Sequence, residues 1–214
     1  TLAGVALPED QKKQYSAIVQ QLSQLSTKFQ ENILDATQTW QHNITDESEL
    51  DGLPERFIQA TAKKAKDKQL NGWLITLDAP SYLTVMQHAN NAKLRQTLYQ
   101  AYCTRASDQG PHDKQYDNTA TMHHILQLRL ELAQLLDFNN HAEHSLATKM
   151  LEKPSDVLKF IEELMHASLP QAQQELEQLR VFAKQHLNIA DLQAWDIAFA
   201  SEQCRQQEYD LSDE

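Results

Sequence analysis

The residues that come nearest to a metal-binding arrangement are His141, Glu143 and His144, in the stretch Asn140-His141-Ala142-Glu143-His144. Zinc peptidases place two histidines one helical turn apart as H-E-x-x-H, with the glutamate positioned to activate a metal-bound water. This chain lacks that sequence, and the inverted motif H-x-x-E-H would need histidine where Asn140 stands. Because a catalytic zinc normally needs three protein ligands, two imidazoles make a weak site. We interpret the stretch as the polar start of a short helix, with adventitious metal binding as the alternative.

The other reactive side chains form no recognised constellation. His123 and His124 are adjacent, so on a helix they point about 100° apart and cannot chelate one ion together. Cys103 and Cys204 lie far apart, which predicts reduced thiols in a cytosolic protein. The chain has no G-x-S-x-G serine motif and no glycine-rich phosphate loop. Three tyrosines could line a pocket, namely Tyr82, Tyr99 and Tyr102. Aromatic residues at helical spacing more often belong to the hydrophobic core, which is our interpretation of these three.

Charge and hydropathy exclude two further classes of function. The formal net charge is −11, so most of the surface would repel a phosphate backbone, and we expect no nucleic-acid binding. The densest basic run indicates the solvated face of one short helix and consists of Lys63, Lys64, Lys66 and Lys68. No apolar run approaches the roughly 20 residues needed to span a bilayer, so we expect no membrane partner.

The elements that must position these residues are mostly helices. The chain has 4 glycines, where an average chain of this length has roughly 15, and scarce glycine argues against an all-β fold. Apolar residues at steps of three and four predict a long amphipathic helix from Pro8 to Ala36. A second long helical pattern opens at Pro154 and keeps its phase to Leu187, which predicts either a kink at Pro170 or two helices meeting there.

Shorter helices are predicted between these two, from Pro54 to Lys68, from Ser81 to His88, from a cap at Asn90 to Arg105 and from Asn118 to Leu136, with a short helix or turn at 140–149. After the second long pattern, a last helix is predicted from Trp195 to Tyr209. The leucines of the segment from Asn118 to Leu136 fall on more than one face, so we expect it to be the most buried helix.

One segment is typical of a strand. The run Trp73-Leu74-Ile75-Thr76-Leu77 is short and nearly continuously apolar, and a lone buried strand would leave its backbone groups unpaired. Residues 39–44, rich in β-branched and aromatic side chains, are the best partner. The predicted fold is therefore mainly α, a multi-helix, bundle-like array with a two-stranded ribbon of about 39–44 and 73–77. We expect residues 1–214 to form one helical portion, with a possible subdivision into 1–110 and 111–214.

A set of segments stands in this order along the chain: NILDAT (32–37), ELDGLPE (49–55), GWLITLDAPSYL (72–83) with Val85-Met86, YCTRASD (102–108), LAQLLDF (132–138), SLATKM (145–150), WDIA (195–198) and SDE (212–214). This ordered set resembles the thimet oligopeptidase family of zinc peptidases, and the match covers essentially the whole chain.

The resemblance implies a large, mostly helical metallopeptidase with two lobes, whose deep channel admits short peptides in the cytoplasm. In that family one zinc is held by the two histidines of H-E-x-x-H and a later glutamate, all in a region that this chain does not contain. We therefore assign no catalytic, cofactor-binding or metal residue to these 214 residues and expect no zinc in them. The alternative is a stand-alone helical scaffold or adaptor that binds a protein partner.

Both ends of the sequence lead us to expect a piece of a longer polypeptide. The chain starts without methionine, and Ser212-Asp213-Glu214 is typical of a helix N-terminus. A piece cut from a two-lobed enzyme would expose apolar surface, so we also expect self-association through surface that the missing lobes would cover.

Overall fold

The computed structural model describes residues 4–209, so the predicted SDE segment at 212–214 lies outside the described residues. The elements in chain order are α1 (Glu9–Thr39), β1 (Gln41–Ile44), a 3-10 turn (Glu47–Leu50), α2 (Glu55–Asp67), β2 (Trp73–Thr76), α3 (Ala79–His88), α4 (Ala92–Cys103), α5 (Thr119–Leu135), α6 (His141–Leu146), α7 (Pro154–His186), a second 3-10 turn (Ala194–Asp196) and α8 (Ile197–Tyr209). The mainly helical prediction is confirmed.

The two strands form the predicted ribbon. β1 pairs antiparallel with β2, with Gln41 opposite Thr76 and Ile44 opposite Trp73. The chain enters β2 through Gly72, whose φ is +91° and whose missing Cβ would lie 2.0 Å from the Ile44 carbonyl oxygen. Glycine adopts such a backbone conformation without strain, and here no larger residue has room. The ribbon prediction is thus confirmed, slightly shortened at both strands.

The chain divides into two compact units that are discontinuous in sequence. One contains the residues up to Ile33 together with Asp117–Pro170, and the other contains Leu34–Tyr116 together with the residues from Gln171 onward. Both long helices contribute residues to each unit. The subdivision into 1–110 and 111–214 stays a prediction.

The first unit packs the N-terminal part of α1 against α5. Its core is Ile18 with Leu128 and Leu132. The start of α5 is held to α1 by the buried Asn118, whose Nδ2 donates to the Phe29 carbonyl oxygen at 3.1 Å. Burial satisfies one face of each amphipathic helix, as the stripe on α1 predicts.

The expectation that α5 is the most buried helix is wrong. Leu128 and Leu132 are buried, but Leu126 and Leu130 are exposed on other faces of the same helix. The apolar residues on those faces have no covering element among the described residues of this unit.

The second unit holds the larger core, built around the ribbon, α3 and α4. Ile44, Ile75, Leu77, Val85 and Leu98 are each at most 1% exposed. α3 packs against both α4 and α8, so the α4 side chains meet the 3-10 turn that precedes α8. The fold therefore brings residues near 95 and near 196 together.

Two local predictions need adjustment. α7 is one continuous helix through Pro170, so the alternative of two helices meeting there is wrong. The cap of α4 is Asn91, whose Oδ1 accepts hydrogen bonds from the backbone amides of Lys93 and Leu94 at 3.0 and 3.1 Å. Asn90, expected to be the cap, instead donates through Nδ2 to the Asp51 carboxylate at 2.9 Å. Both asparagines suit a cap, and the backbone conformation decides between them.

Candidate functional site

The histidine pair of α6 is close but poorly equipped to bind a metal. The ring centroids of His141 and His144 lie 6.0 Å apart at an interplanar angle of 65°. The Nδ1 atoms of both rings are buried without a hydrogen-bond partner. Burial, followed by the nearby Arg129 guanidinium and His144, lowers the pKa of His141. A neutral imidazole can ligate a metal, but a cation beside the pair opposes a divalent ion.

The carboxylate between these histidines is already committed to the helix start. Glu143 Oε2 accepts from the Asn139 backbone amide at 3.1 Å and from Asn139 Nδ2 at 2.9 Å, while Oε1 accepts from Asn140 Nδ2 at 3.3 Å. In return, Asn140 Oδ1 accepts from the Glu143 amide at 3.0 Å. This is the reciprocal capping expected of a helix N-terminus, so the prediction of a polar helix start is confirmed.

A catalytic zinc does not fit these residues. Three protein ligands are needed, and the third candidate ligand, the Glu143 carboxylate, is turned toward the cap and not toward the imidazoles. Among residues 4–209, no three His, Cys, Asp or Glu side chains come together in a way that could hold a metal ion. His123 and His124, on α5, are both exposed.

Two of the three candidate tyrosines form a stack against the core of the second unit, whereas the Tyr99 ring meets the Trp195 ring edge-on. Tyr82 of α3 and Tyr102 of α4 lie with ring centroids 3.9 Å apart and nearly parallel, and the Arg105 guanidinium sits 3.7 Å from the Tyr102 ring centroid. Burial, followed by Cys103 and neighbouring tyrosines, raises the pKa of Tyr82 to about 12. A phenol with that pKa holds its proton at neutral pH and is a poor general base. The interpretation of Tyr82 and Tyr102 as packing residues is confirmed.

Sequence reasoning missed a polar cluster at the start of α3. Asp78 caps this helix by accepting from the Ser81 amide at 3.1 Å, and it also accepts from the hydroxyls of Thr76 and Ser81. Lys64 Nζ donates to Asp78 Oδ2 at 3.2 Å and to Thr76 Oγ1 at 3.0 Å. The interpretation of the basic run as a solvated face holds for Lys63, Lys66 and Lys68, which are exposed, but is wrong for the half-buried Lys64.

This cluster is built to hold a charge and not to transfer a proton. Burial alone would raise the pKa of Asp78, but the hydrogen bonds from Thr76, Ser81 and Lys64 outweigh it and lower the pKa to about 2. A carboxylate that far below neutral pH is a weak base, and the Ser81 side chain is buried away from solvent. The cluster fixes α2, β2 and the start of α3 together. The sequence signal was the D-x-x-S spacing at a helix start, with a lysine on the buried side of α2.

The second missed cluster is a buried ion pair in the same unit. Arg95 is 1% exposed, and its Nη2 donates to Asp196 Oδ1 at 2.6 Å. Its Nη1 donates to the Ala89 carbonyl oxygen at 2.6 Å, and the guanidinium lies 4.2 Å from the centroid of the Phe199 ring. Asp196 Oδ2 also accepts from the Gln193 amide at 3.2 Å. One arginine thus ties α4, the end of α3 and the start of α8 together.

Arg95 was detectable in principle from its position. It lies on the same helical face as Leu94, Leu98 and Ala101, which are buried, and a cation on such a face requires a buried partner. The partner is 101 residues away along the chain, so local patterns do not identify it.

No helix in the described part of the chain combines the length and hydropathy needed to cross a membrane.

The two cysteines, Cys103 and Cys204, carry free thiols. Burial, followed by the nearby Glu208 carboxylate, raises the pKa of the Cys204 thiol. A thiol with a raised pKa is a weak nucleophile at neutral pH.

Comparisons of the sequence with known proteins match this chain to one family. A sequence model of peptidase family M3 matches residues 85–214. The chain is 48% identical over 213 residues to oligopeptidase A of Escherichia coli, covering 100% of this chain and 31% of that protein. It is 45% identical over 213 residues to oligopeptidase A of Haemophilus influenzae, with the same coverage of 100% and 31%.

A plant protein matches equally far along the chain. The probable cytosolic oligopeptidase A of Arabidopsis thaliana is 46% identical over 224 residues, covering 100% of this chain and 31% of the plant protein. The chain therefore spans about a third of the length of the curated relatives it matches. The resemblance in the ordered sequence segments is confirmed, and the chain belongs to peptidase family M3, a family of metallopeptidases.

Proposed function

We propose that residues 1–214 form a noncatalytic helical portion of a two-lobed, zinc-dependent oligopeptidase of the cytoplasm, which hydrolyses short peptides in a channel. The observation that carries the proposal is the match of 100% of this chain to 31% of oligopeptidase A. The polar clusters of the described residues support the noncatalytic part, since Asp78, Glu143 and Arg95 are each committed to capping or to a buried pair.

In this proposal the chain's own residues hold the wall of the channel in place. The Arg95–Asp196 pair fixes α4 against the start of α8, and the Asp78 cluster fixes α3 against the ribbon. Zinc would be held by residues of the remaining polypeptide and would supply the activation of water there. No group described in this chain is assigned a step of the reaction.

The proposal is tested by comparing the isolated chain with a chimera. In the chimera, this chain replaces the matching 31% of Escherichia coli oligopeptidase A. We expect the chimera to cleave a quenched peptide substrate and to lose that activity to a chelator. The isolated chain should cleave nothing and should carry less than about 0.1 zinc per molecule, because a zinc site needs at least three protein ligands.

A variant of the histidine pair serves as the control for contamination. Chelator-sensitive cleavage by the isolated chain that disappears in His141→Ala/His144→Ala would overturn the noncatalytic assignment. Cleavage that is unchanged in that variant indicates a host peptidase, and the measurement is repeated on material purified from it. A folded chimera without activity, judged by circular dichroism, would favour the scaffold or adaptor alternative.

A further inference from the structure

The N-terminal part of α7, within the first unit, presents a continuous apolar face to solvent. Its large apolar side chains are each between 46% and 60% exposed and follow steps of one to four residues along the helix: Leu158, Phe160, Ile161, Leu164, Met165 and Leu169. We define these six residues as the α7 face. Every residue from 158 to 170 is solvent-exposed.

The α7 face is one side of an amphipathic helix and not a scatter of exposed residues. With 3.6 residues per turn, the six side chains lie on one half of the helix circumference. The other half carries Lys159, Glu162, Glu163 and His166, and Lys159 Nζ lies 4.0 Å from Glu163 Oε1. Such a division between apolar and charged halves is the pattern of a helix whose apolar side packs against another element.

The size of the face also indicates a covering surface. Six half-exposed side chains of this size present on the order of 400 Å² of apolar area, from the usual area buried per side chain. The largest apolar patch on a typical monomer is about 300–600 Å² and is often functional. The α7 face reaches that range by itself, without the exposed residues of α5.

We infer that the α7 face packs against the part of the oligopeptidase polypeptide that this chain does not contain. This rests on the proposed function, because the occupant is the remaining two thirds of a protein in which this chain accounts for 31%. The occupant's contribution is apolar, since the face itself carries no charged side chain. A second copy of this chain is the competing occupant, and the experiment separates the two.

The test is protection of a cysteine from a maleimide reagent. In a Cys103→Ser/Cys204→Ser background, Leu164→Cys places a thiol on the α7 face, and Glu163→Cys places one on the adjacent charged half. The rate of labelling at each site, mapped by mass spectrometry, is compared between the isolated chain at low concentration and the complete chimera with E. coli oligopeptidase A. We expect Leu164→Cys to be labelled at least about tenfold more slowly in the chimera, because a packed side chain reacts only when the interface opens. Glu163→Cys should be labelled equally fast in both.

The possible results each decide the question. Equal labelling of Leu164→Cys in the isolated chain and in a folded chimera would overturn the inference, even if the chimera is active and the proposed function holds. Protection already present in the isolated chain that increases with its concentration would assign the face to a second copy, and also overturn the inference. If the chimera does not fold, the same two cysteines are placed at the aligned positions of complete E. coli oligopeptidase A, where the same protection is expected.

Discussion

Replacing the buried Arg95 with methionine should destabilise the second unit by about 3–5 kcal/mol, the usual cost of breaking a buried ion pair. Methionine keeps much of the side-chain volume, but it removes the hydrogen bonds to the Ala89 carbonyl oxygen and to Asp196, both at 2.6 Å. The Asp196 carboxylate, with a side chain 5% exposed, then loses its paired charge. For a chain of this size, the loss corresponds to a fall in Tm of roughly 6–20 °C.

Tryptophan fluorescence is the assay that isolates this effect. All three tryptophans of the chain, Trp40, Trp73 and Trp195, lie in the second unit, so their emission during urea unfolding follows that unit. The matched control is Arg180→Met, which breaks the exposed pair with Glu177 at 3.4 Å. We expect that control to change the unfolding free energy by less than about 1 kcal/mol, as for exposed ion pairs in general.

A double-mutant cycle decides whether the pair itself is responsible. Asp196→Asn leaves the buried guanidinium unpaired, whereas Arg95→Met combined with Asp196→Asn leaves neither charge. The double variant should therefore lose at least about 1 kcal/mol less than the sum of the single variants, because the two residues share one interaction. Additive losses, or a loss below about 1 kcal/mol in Arg95→Met, would refute the reasoning that this pair ties α4 to α8.

Two further predictions concern the ribbon and the start of α3. Gly72→Ala should lower the free energy of unfolding by about 3 kcal/mol or more, because alanine is strained at a φ of +91° and its Cβ would meet the Ile44 carbonyl oxygen. In the same urea unfolding assay, the control Asn71→Ala, at an exposed position, should change the free energy of unfolding little. Equal effects of the two substitutions would contradict the steric argument. Because the folded pKa of Asp78 is lowered to about 2, its contribution is complete above the unfolded pKa of about 4 and is lost as pH falls from about 4 to 2. The Asp78 side chain is 45% exposed, so after allowance for solvent screening we expect its ionised form to contribute about 1 kcal/mol to the free energy of unfolding. Asp78→Asn should remove this part of the pH dependence of the unfolding free energy. An unchanged acid profile in that variant would show that the carboxylate does not contribute.

The sequence predicts well those features that depend on local patterns. The strand Trp73–Thr76 is recognisable because its apolar run is short and follows an Asn-Gly turn. Its partner strand follows from the need to pair buried backbone groups. The predicted polar helix start likewise depends on a local contact, between Asn140 and Glu143, which are only three residues apart.

The two polar clusters could not be predicted in the same way. Arg95 and Asp196 are 101 residues apart in sequence, so their pairing depends on how α3, α4 and α8 pack. Lys64 meets Asp78 only after α2 folds back beside β2. The local sequence around each of these residues indicates only a charge on a helix or a helix cap. The tertiary fold alone brings the partners together.

The wrong expectation for α5 has a different physical origin. The apolar residues of α5 lie on more than one face of the helix. Such a pattern usually indicates a helix that is buried on several faces. In the described residues one side is covered by α1, while Leu126 and Leu130 are exposed. The α7 face is likewise apolar and exposed. Both helices carry more apolar surface than the described residues cover, which is consistent with a chain that spans 31% of the length of its relative.

The distribution of polar and apolar groups therefore separates two roles within this chain. The buried ion pair of Arg95 with Asp196 holds α4 and α8 together, and the Asp78 and Glu143 carboxylates are used in capping. Side chains already committed in this way have little capacity left for acid–base chemistry. The α7 face, by contrast, is apolar and solvent-exposed. A large exposed apolar patch on a folded unit usually marks a surface that another element or molecule covers. Under the proposed function, the contribution of this portion to the oligopeptidase depends on how its α7 face is packed, which the labelling of Leu164→Cys measures directly.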